Sequence, residues 1–266
     1  MTFVTGVSGV PAYECEEYEP KKSAYCVLIP ILNEGGRILN ELSRALKAGV
    51  PQKADVVVCD GASTDGCTGA AGLAARGVNT LLTKKGPGKQ GAQLRMGIHW
   101  ALARGYAGVV TIDGNDKDSI EDVPLFLQKL GEGYDFVQGS RFIKGGVAEN
   151  TPPARWLAVR LIHAPVISLT ARARYTDTTN AYRAYSRRYL THPDVQPLRE
   201  IFTGYELLAY LSVRAGQLGL ATCEVPVARR YPENEPAPTK IKGLRGNGDL
   251  LRILFRNARG KYDPQK

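Results

Sequence analysis

The sequence predicts an α/β protein built on one mostly parallel sheet with helices on both faces. Two observations carry this prediction. Short apolar runs of strand length alternate with helix-like segments, and clusters of polar residues follow directly after several of these runs. Ligands in such folds bind beyond the carboxyl ends of the strands, which is where the polar clusters would lie. The chain has 266 residues, enough for one large domain with a buried core.

The predicted elements follow one another regularly from residue 25 onwards. The predicted strands lie at Tyr25–Ile29, Asp55–Cys59, Val78–Leu82, Gly108–Ile112 and Phe136–Gly139. Helix-like segments fill the intervals at Gly35–Ala48, Gly91–Arg104 and Ile120–Leu130. The pattern continues with a long helix after residue 155, a strand near Ala181–Ser186, a helix around Tyr205–Ala215 and a strand ending at Val227. This order predicts a parallel sheet connected by helical crossovers.

The chain divides into three predicted regions. Residues 1–24 show little periodicity and are predicted to form an irregular arm, whereas residues 25–246 form the main domain. Residues 247–266 are predicted to form a basic amphipathic tail, in which apolar residues share one arc and arginines lie opposite: Leu250, Leu251, Ile253, Leu254 and Phe255 against Arg252, Arg256 and Arg259. We interpret this tail either as a peripheral contact with an anionic membrane or as a helix docked on the core.

The charge balance indicates anionic partners. Lys and Arg total 35 against 26 Asp and Glu, so the formal net charge is +9. Phosphates and acidic lipids both fit this excess. Nucleic acid is not expected as a partner, because the basic residues are not interleaved with stacking aromatic residues. Charge alone leaves a homo-oligomer open.

The location expected from the sequence is a reducing cytoplasm, with or without peripheral attachment to the membrane face. No stretch reaches the ~18 consecutive apolar residues of a membrane span, and the first residues lack the charged start of a signal peptide. The five cysteines are an odd number without a C-x-x-C pair, so neither structural disulfides nor a zinc site is expected.

The turn from Asp60 to Gly66 is the first candidate binding element. It follows a run of three valines, so Asp60 would stand at the end of a buried strand. A carboxylate in this position can accept hydrogen bonds from a base N–H or a ribose hydroxyl. The alternative is a strand-to-helix turn in which Asp60 and Ser63 only cap a helix.

The segment Asp113–Asp118 is the more informative cluster. It places three aspartates and one asparagine within six residues, directly after a buried strand. Oxygen ligands of this kind suit Mg²⁺ or Mn²⁺ bridging two phosphates, and such an ion usually takes only one or two protein carboxylates. The alternative is a solvated acidic loop that caps the helix starting near Ile120.

A glycine-rich basic turn follows the third predicted strand. It combines glycines that permit close backbone approach with basic residues near a helix N-terminus, a setting that attracts anions: Gly86, Gly88 and Gly91 with Lys84, Lys85, Lys89 and Arg95. The turn also matches G-x-G-x-x-G, which raises a dinucleotide-binding oxidoreductase as an alternative. That motif normally ends the first strand of its fold, so its position here disfavours this alternative.

Several arginines stand at or near predicted strand ends. Arg141 comes just past a predicted strand, Arg155 and Arg160 follow at the start of the next helix, and Arg183 lies within Asp177–Arg183. Arg229, Arg230 and Lys240 border the late Pro-rich loop. Arginine suits bidentate phosphate binding. Any one of them alone is better explained as a surface ion pair, but several at one sheet edge favour an anionic ligand.

Taken together, these motifs resemble glycosyltransferase family 2, and within it the dolichol- or polyprenyl-phosphate mannosyltransferase-like branch. The resemblance runs from Val27 to about Leu244 in an ordered series. Its members are Ile29-Pro30-x-x-Asn33-Glu34, Asp60–Asp65, Gly88-Lys89-x-Gly91-Ala92 with Gly97, the Asp113 loop ending in Glu121-Asp122, Gly139-Ser140-Arg141, and Asp177–Arg183. The resemblance implies a GT-A fold and an inverting transfer of a hexose from a nucleoside diphosphate sugar, with Mg²⁺ or Mn²⁺ as cofactor and a polyprenyl phosphate as acceptor.

The resemblance and the residue patterns together assign roles. The nucleotide-sugar contacts are expected at Pro30, Asn33, Glu34, Asp60, Lys89, Arg95, Asp113, Gly114 and Asn115. The metal ligands are expected among Asp113, Asn115 and Asp116, and the catalytic residues are Asp113, Asp116 and Arg141. The acceptor contacts are expected at Arg141, Arg155, Arg183, Arg229, Arg230 and Lys240.

Two positions depart from the family pattern. The second position of the D-x-D motif is Asn115, a neutral ligand, and the usual Gln two positions later is Lys117, a cation. Asp116 or Asp118 could supply the missing carboxylate, or Lys117 could bear part of the phosphate charge. The metal ligands beyond Asp113 therefore stay open at this point.

The identity of the acceptor is also open in the sequence. A phosphate monoester is largely dianionic at neutral pH, because its second pKa is ~6, and it needs no catalytic base. A hydroxyl of a glycan or small metabolite would need a carboxylate base, for which Asp177 and Glu206 are candidates. A third alternative, a non-catalytic nucleotide-binding module, would require a degenerate acceptor half, and the arginines argue against it.

Overall fold

The computed structural model describes residues 1–233 and 243–265. Its strands are β1 Thr2–Val4, β2 Tyr13–Glu17, β3 Tyr25–Ile31, β4 Asp55–Asp60, β5 Val78–Lys84, β6 Gly108–Thr111, β7 Phe136–Ser140, β8 Val147–Glu149, β9 Arg183–Ser186, β10 Thr222–Pro226 and β11 Ala228–Arg230. Its α-helices are α1 Gly36–Lys47, α2 Ala70–Ala74, α3 Gln90–Ala103, α4 Val123–Gly131, α5 Pro153–Ala158, α6 Ala164–Ala171, α7 Arg187–Leu190, α8 Glu206–Gln217 and α9 Gly243–Ala258. Short 3₁₀ turns lie at Val50–Gln52 and Ile120–Asp122, and a π-helical turn at Val159–His163 joins α5 to α6.

Among the described residues, nine strands form one mixed sheet in the order β1-β2-β5-β4-β3-β6-β9-β7-β10. Strands β5, β4, β3 and β6 are mutually parallel, whereas β9 runs antiparallel to both β6 and β7. Strand β7 therefore points the same way as β6. The C-terminal ends of β3, β4, β6 and β7 therefore lie at one edge of the sheet. This brings the polar segments that follow these four strands together.

The central strands form because their side chains can be buried on both faces. In β3, Cys26 and Leu28 face one core, whereas Val27, Ile29 and Ile31 face the other. The first core lies under α3 and α8, and the second under α1 and α4. A continuous apolar run is what a strand covered on both faces requires. The predicted α/β sheet is thus confirmed.

The prediction of an irregular arm at residues 1–24 is wrong in part. Strand β2 pairs antiparallel with β5, and β1 pairs antiparallel with β2. In β2, Tyr13 and Cys15 are buried and alternate with the more exposed Glu14 and Glu16. Such alternation is typical of a strand with one solvated face. The prediction missed this strand, which lies near the sheet edge, because its glutamates make the segment look polar.

The C-terminal helix α9 is docked on the protein. It packs against α6 and α8, Leu254 is buried, and Asn257 Nδ2 donates to the carbonyl of Ala209 at 2.8 Å. Of the two interpretations of the tail, docking on the core is the one the structure shows. Nowhere in the described part of the chain is a helix both long and apolar enough to cross a membrane.

Candidate active site

The loops after β3 and β4 form the first wall of the site. Asn33 has a left-handed backbone with φ 52°, and its amide N–H donates to Ser63 Oγ at 2.9 Å. Asn33 Oδ1 in turn accepts from the Thr64 amide at 2.7 Å, and the Gly35 amide donates to Asp65 Oδ2 at 2.7 Å. These bonds join the two loops, so Asn33 lies beside the Asp60–Gly66 turn.

Asp60 shapes this wall from inside. Its carboxylate is buried and accepts from the amides of Ala62 and Ser63 and from Ser63 Oγ, the last at 2.6 Å. Asp60 therefore stabilises its own turn and does not cap a helix, because the next helix, α2, begins at Ala70 with no side-chain cap. Its predicted direct contact with a nucleotide stays a prediction, since the carboxylate faces its own turn.

Asp113 lies just beyond the C-terminal end of β6, near the middle of the sheet edge that carries the polar segments. Its carboxylate accepts a hydrogen bond from Gln90 Nε2, at the start of α3, at 2.7 Å, and Arg229 Nη2 lies 3.6 Å from its other oxygen. The next residue must be glycine, because a Cβ on Gly114 would lie 2.5 Å from Ile31 Cγ2. The turn is thus pressed against β3, and Asp113 keeps 21% of its side chain exposed.

Asp116 faces away from this centre. It has a left-handed backbone with φ 60°, and its carboxylate pairs with Arg44 at 3.0 Å and with Asn40 on α1. Its amide donates to Glu41 Oε2 at 2.8 Å. The prediction of Asp116 as a metal ligand and catalytic residue is therefore not supported: the inverted backbone presents its side chain to α1.

Lys117, Asp118 and Arg229 form a buried charged group behind Asp113. Arg229 pairs with Asp118 and bridges to Asp113. Burial, together with the nearby Arg229, lowers the pKa of Lys117 to about 8. Burial raises the pKa of Asp118, although Arg229 opposes this shift. Arg229 thus engages Asp118 Oδ2, whereas Asp118 Oδ1 is buried with no hydrogen-bond partner in the described residues, so a part for Asp118 in metal binding stays a prediction.

Arg141 is held in a fixed orientation by Asp177. Its Nε donates to Asp177 Oδ2 at 2.6 Å and its Nη2 to Asp177 Oδ1 at 3.0 Å, with both side chains almost fully buried. Burial acts to raise the pKa of Asp177, but Arg141 holds it below the usual value. The remaining nitrogen, Arg141 Nη1, is buried and has no hydrogen-bond partner within the described residues. This nitrogen is the donor that a ligand could use.

Tyr231 is the point on which the basic residues converge. Arg155 Nη1 donates to its hydroxyl at 3.1 Å. The Cζ atoms of Arg155 and Arg229 each lie 5.7 Å from its ring centroid, and Lys117 Nζ lies 5.4 Å from it. Burial acts to raise the pKa of Tyr231, but Arg229, Arg155 and Arg141 together lower it to about 8. The Tyr231 hydroxyl therefore lies in a strongly positive electrostatic environment at the edge of the site.

The other three predicted acceptor contacts, Arg183, Arg230 and Lys240, are not placed around Tyr231 by the contacts of the described residues. Arg183 is buried, and its guanidinium donates to the carbonyls of Asn180, Thr178 and Leu208. Its predicted role as an acceptor contact is not supported, because its guanidinium nitrogens donate to backbone carbonyls. Arg230 pairs with Glu149 at 2.9 Å on the surface. Lys240 lies outside the described residues.

Arg95 also has a structural role. It is buried in α3 and donates to the carbonyls of Phe202 and Gly9, so its predicted nucleotide contact is not supported. Lys89 is exposed at the N-terminus of the same helix, and Pro30 and Glu34 lie at the end of β3 and in the loop after it. The nucleotide contacts predicted for these residues stay predictions.

The glycine-rich turn packs against protein rather than opening a dinucleotide cradle. A Cβ on Gly91 would lie 2.5 Å from the Gly204 carbonyl, and one on Gly88 would lie 2.6 Å from Ala92 Cβ. The turn follows β5, which lies away from the centre of the sheet. Both observations disfavour the oxidoreductase alternative.

The donor set at Asp113 fits a divalent cation that also binds phosphates. Asp113 offers a partly exposed carboxylate, and Asn115 Oδ1 is a buried oxygen with no hydrogen-bond partner in the described chain. No group of three or more His, Cys, Asp or Glu side chains suited to a metal occurs in residues 1–233 and 243–265. Such an ion would therefore complete its shell with substrate phosphates and water, as Mg²⁺ and Mn²⁺ commonly do.

Two residues of the site escaped the sequence predictions. Tyr231 carried no motif, and only its position directly after Arg229-Arg230 could have indicated it. Gln90 lies inside the glycine-rich turn, and only the glycines and basic residues of that turn matched a known anion-binding pattern.

An acidic turn flanked by arginines lies at the carboxyl edge of this mixed sheet, which is the arrangement expected of a glycosyltransferase of the GT-A type. The profile of Glycosyl transferase family 2 matches residues 26–192, and the chain belongs to this family. The family predicted from the motifs is thereby confirmed, and with it the general activity of a glycosyltransferase.

Curated relatives agree with this assignment. The chain is 29% identical to polyprenol monophosphomannose synthase of Mycolicibacterium smegmatis over 89% of this chain and 88% of the relative. It is 31% identical to undecaprenyl-phosphate mannosyltransferase of Micrococcus luteus over 81% of this chain and 86% of the relative.

Solved structures share the fold. Glucosyl-3-phosphoglycerate synthase from Mycobacterium tuberculosis, in complex with Mn²⁺, UDP-glucose and phosphoglyceric acid, superposes with a TM-score of 0.61. It is 20% identical, and the match covers 88% of this chain and 79% of that one.

Proposed function

We propose that this protein transfers a hexose, with inversion, from a nucleoside diphosphate sugar to a polyprenyl phosphate. The observation that carries the proposal is the convergence of Arg155, Arg229 and Arg141 around Tyr231, beside Asp113. Two curated relatives, named polyprenol monophosphomannose synthase and undecaprenyl-phosphate mannosyltransferase, support a lipid-linked phosphate as the acceptor. A guanidinium cluster of this kind is suited to a phosphate monoester.

The donor half is formed by the loops after β3, β4 and β6. Asn33 and the Asp60 turn would border the nucleoside, and exposed Lys89 at the start of α3 would face the diphosphate. Asp113 and Asn115 would hold a Mg²⁺ or Mn²⁺ ion. When bound, this ion supplies positive charge that stabilises the departing diphosphate.

Arg229 joins the donor half to the acceptor half. Its Nη2 lies 3.6 Å from Asp113 Oδ2, and its Cζ lies 5.7 Å from the Tyr231 ring. Its pairing with Asp118 holds the guanidinium in this position. It can therefore stabilise negative charge on both sides of the transferred sugar, an effect that a preorganised site supplies without reorganisation.

The contacts of the candidate bases favour a phosphate acceptor over a hydroxyl acceptor. Asp177 is buried and paired with Arg141, and the Glu206 carboxylate accepts from the Gly204 amide at 2.6 Å. A phosphate monoester needs no base, because its second pKa of ~6 leaves it largely dianionic at neutral pH. One of its oxygens attacks the anomeric carbon, the bond to the diphosphate breaks, and the nucleoside diphosphate leaves with the electron pair.

The test is a comparison of acceptors that differ only in the phosphate. The purified protein is incubated with Mn²⁺ or Mg²⁺, radiolabelled GDP- or UDP-hexoses, and either a polyprenyl phosphate or the corresponding polyprenol. We expect label to enter the organic phase with the phosphate and not with the alcohol. Transfer to the alcohol or to a soluble sugar, with the lipid phosphate unused, would refute the proposal.

Arg141→Lys is the matched variant for the acceptor half. It keeps the positive charge but loses the bidentate contact to Asp177 and the unpartnered Nη1. We expect KM for the polyprenyl phosphate to rise while the affinity for the nucleotide sugar is retained. An equal loss on both substrates would contradict the assignment of Arg141.

A further inference from the structure

Tyr231 is held at a fixed place at the edge of the site. It follows β11, which pairs parallel with β8. Its amide donates to the Glu149 carbonyl at 3.2 Å, and its own carbonyl accepts from Asn150 Nδ2 at 3.1 Å. The residue is only 5% exposed. The phenol ring therefore extends from an anchored backbone into a closely packed environment.

Positive charges from four segments surround this phenol. Arg155 Nη1, on α5, donates to the hydroxyl at 3.1 Å. Arg229 Cζ and Lys117 Nζ lie 5.7 Å and 5.4 Å from the ring centroid. Arg141, just after β7, adds a further positive charge that acts on the hydroxyl. The three arginines, here called the arginine cluster, make this place suited to an anion.

Three carboxylates pair with the arginine cluster but leave one donor unused. Asp118 pairs with Arg229, and Asp113 lies 3.6 Å from the same guanidinium. Asp177 binds Arg141 through Nε and Nη2. Arg141 Nη1 is buried and has no hydrogen-bond partner in the described residues. A ligand with a negatively charged oxygen can use this nitrogen.

The hydroxyl of Tyr231 is a second donor at this place. A phenol has one proton to donate and lone pairs that accept. Its oxygen accepts from Arg155, so the proton points away from that guanidinium. The contacts of Lys117 and Arg229 to the ring need no hydroxyl, and a phenylalanine would make them as well. What distinguishes tyrosine from phenylalanine here is therefore the hydrogen bonding of its oxygen.

We propose that the Tyr231 hydroxyl donates a hydrogen bond to the acceptor phosphate, and that the phosphate binds tightly only while this hydroxyl keeps its proton. A phosphate monoester offers three acceptor oxygens, enough for Tyr231, Arg155 and Arg141 Nη1 together. A phenolate would instead compete with the phosphate for the same cations and repel it. Tyr231 is thus a positioning residue, and this inference rests on the proposed function for the identity of its ligand.

The ionisation of Tyr231 falls within an accessible pH range. Burial acts to raise its pKa, but Arg229, Arg155 and Arg141 lower it to about 8. Bound phosphate and the retained proton favour each other, since the coupling between two binding events is reciprocal. A phosphate in the arginine cluster should therefore raise the pKa of Tyr231 from about 8 to about 9 or higher. Lys117, whose pKa burial and Arg229 lower to about 8, titrates in the same range but contributes no phenolate absorbance.

Ultraviolet difference spectroscopy tests this coupling directly in the wild type. The phenolate absorbance is measured just above pH 8 while farnesyl monophosphate, a short prenyl phosphate, is added, and a thermal shift reports its binding. We expect the phenolate signal to fall as the phosphate binds, and farnesol to leave the signal unchanged. A phenolate signal that stays constant while the thermal shift shows bound phosphate would overturn the proposal, and so would the absence of any binding.

Two variants assign the signal to one tyrosine. Tyr231→Phe should show no ligand-dependent absorbance. Tyr134→Phe is the matched control, because Tyr134 also has a lysine over its ring, with Lys129 Nζ 5.6 Å from the centroid, but precedes the N-terminal end of β7, away from the site. It should respond like the wild type. A response retained in Tyr231→Phe would remove Tyr231 from the phosphate site.

Kinetics separate this inference from the proposed function. At pH 7, Tyr231→Phe should raise KM for the polyprenyl phosphate roughly 10- to 100-fold, as expected for loss of a hydrogen bond to a charged group, with KM for the nucleotide sugar retained. The difference between wild type and variant should narrow above pH 8, where the wild type loses the proton. Equal acceptor KM values at every pH, with transfer to the lipid phosphate intact, would refute the role of Tyr231 and leave the proposed function standing. A phenolate signal that responds to farnesyl monophosphate, in a protein that transfers no sugar to any polyprenyl phosphate, would sink the proposed function alone.

Discussion

The buried pair Arg141–Asp177 offers the sharpest test of how the acceptor half is built. Asp177→Asn keeps the size of the side chain but removes its charge, so the guanidinium of Arg141 is left buried without a counter-charge. Both side chains are at most 1% exposed, and two hydrogen bonds of 2.6 and 3.0 Å join them. Breaking such a pair from one side costs about 3–5 kcal/mol.

The cost converts into a measurable shift in melting temperature. For a domain of this size, 1 kcal/mol corresponds to roughly 2–4 °C, so Asp177→Asn should lower Tm by on the order of 6–20 °C. Circular dichroism at pH 7 measures this. Glu149→Gln is the matched control, because it breaks the exposed Arg230–Glu149 pair at 2.9 Å and should change stability by less than about 1 kcal/mol.

The pH dependence has a defined sign. Because the pKa of Asp177 is held below its usual value in the folded protein, the pair contributes fully above the unfolded value of ~3.9 and loses its contribution as pH falls through the folded pKa. The stability gap between wild type and Asp177→Asn should therefore shrink in acid. A Tm for Asp177→Asn within 2 °C of wild type at pH 7, roughly the shift of 1 kcal/mol or less, would refute this reasoning.

Three further substitutions test other parts of the site. Asp113→Ala should lower kcat about 100-fold or more with an unchanged far-UV spectrum, since it removes the carboxylate at the centre of the edge; wild-type turnover would remove Asp113 from the mechanism. Gly91→Ala should destabilise by about 1–3 kcal/mol in urea unfolding, because the added Cβ would lie 2.5 Å from the Gly204 carbonyl; an unchanged midpoint would contradict this. Tyr231→Phe should remove a phenolate signal that appears near pH 8 in ultraviolet titration of the folded wild type, where the pKa of Tyr231 is about 8; an identical titration curve would contradict the lowered pKa.

The fold was largely predictable because buried parallel strands leave a plain pattern. Strands β3 and β4 are continuous apolar runs, and their predicted positions agree with the structure to within two residues. Strand β2 was missed for the opposite reason. Its buried Tyr13 and Cys15 alternate with glutamates, so the run looks polar when it is read as a whole.

The site was only partly predictable, because a sequence gives the position of a side chain but not its direction. Arg183 and Arg229 both lie on strands, yet Arg183 points into backbone carbonyls and Arg229 bridges Asp118 and Asp113. Asp116 lies three residues from Asp113, but its left-handed backbone aims its carboxylate at Arg44. No pattern of residue types distinguishes these cases.

Strand β11 is fastened to the turn that carries Asp113. The Ser119 amide donates to the Ala228 carbonyl at 2.9 Å, the Ala228 amide donates to Ser119 Oγ at 2.9 Å, and the Arg230 amide donates to the Lys117 carbonyl at 2.8 Å. The segment that contributes Arg229 and Tyr231 therefore cannot shift without moving the turn that carries Asp113. A substitution that alters the donor half is therefore expected to alter the acceptor half as well. Changing the specificity for the sugar donor without changing that for the lipid will require compensating substitutions both in the turn that carries Asp113 and in β11.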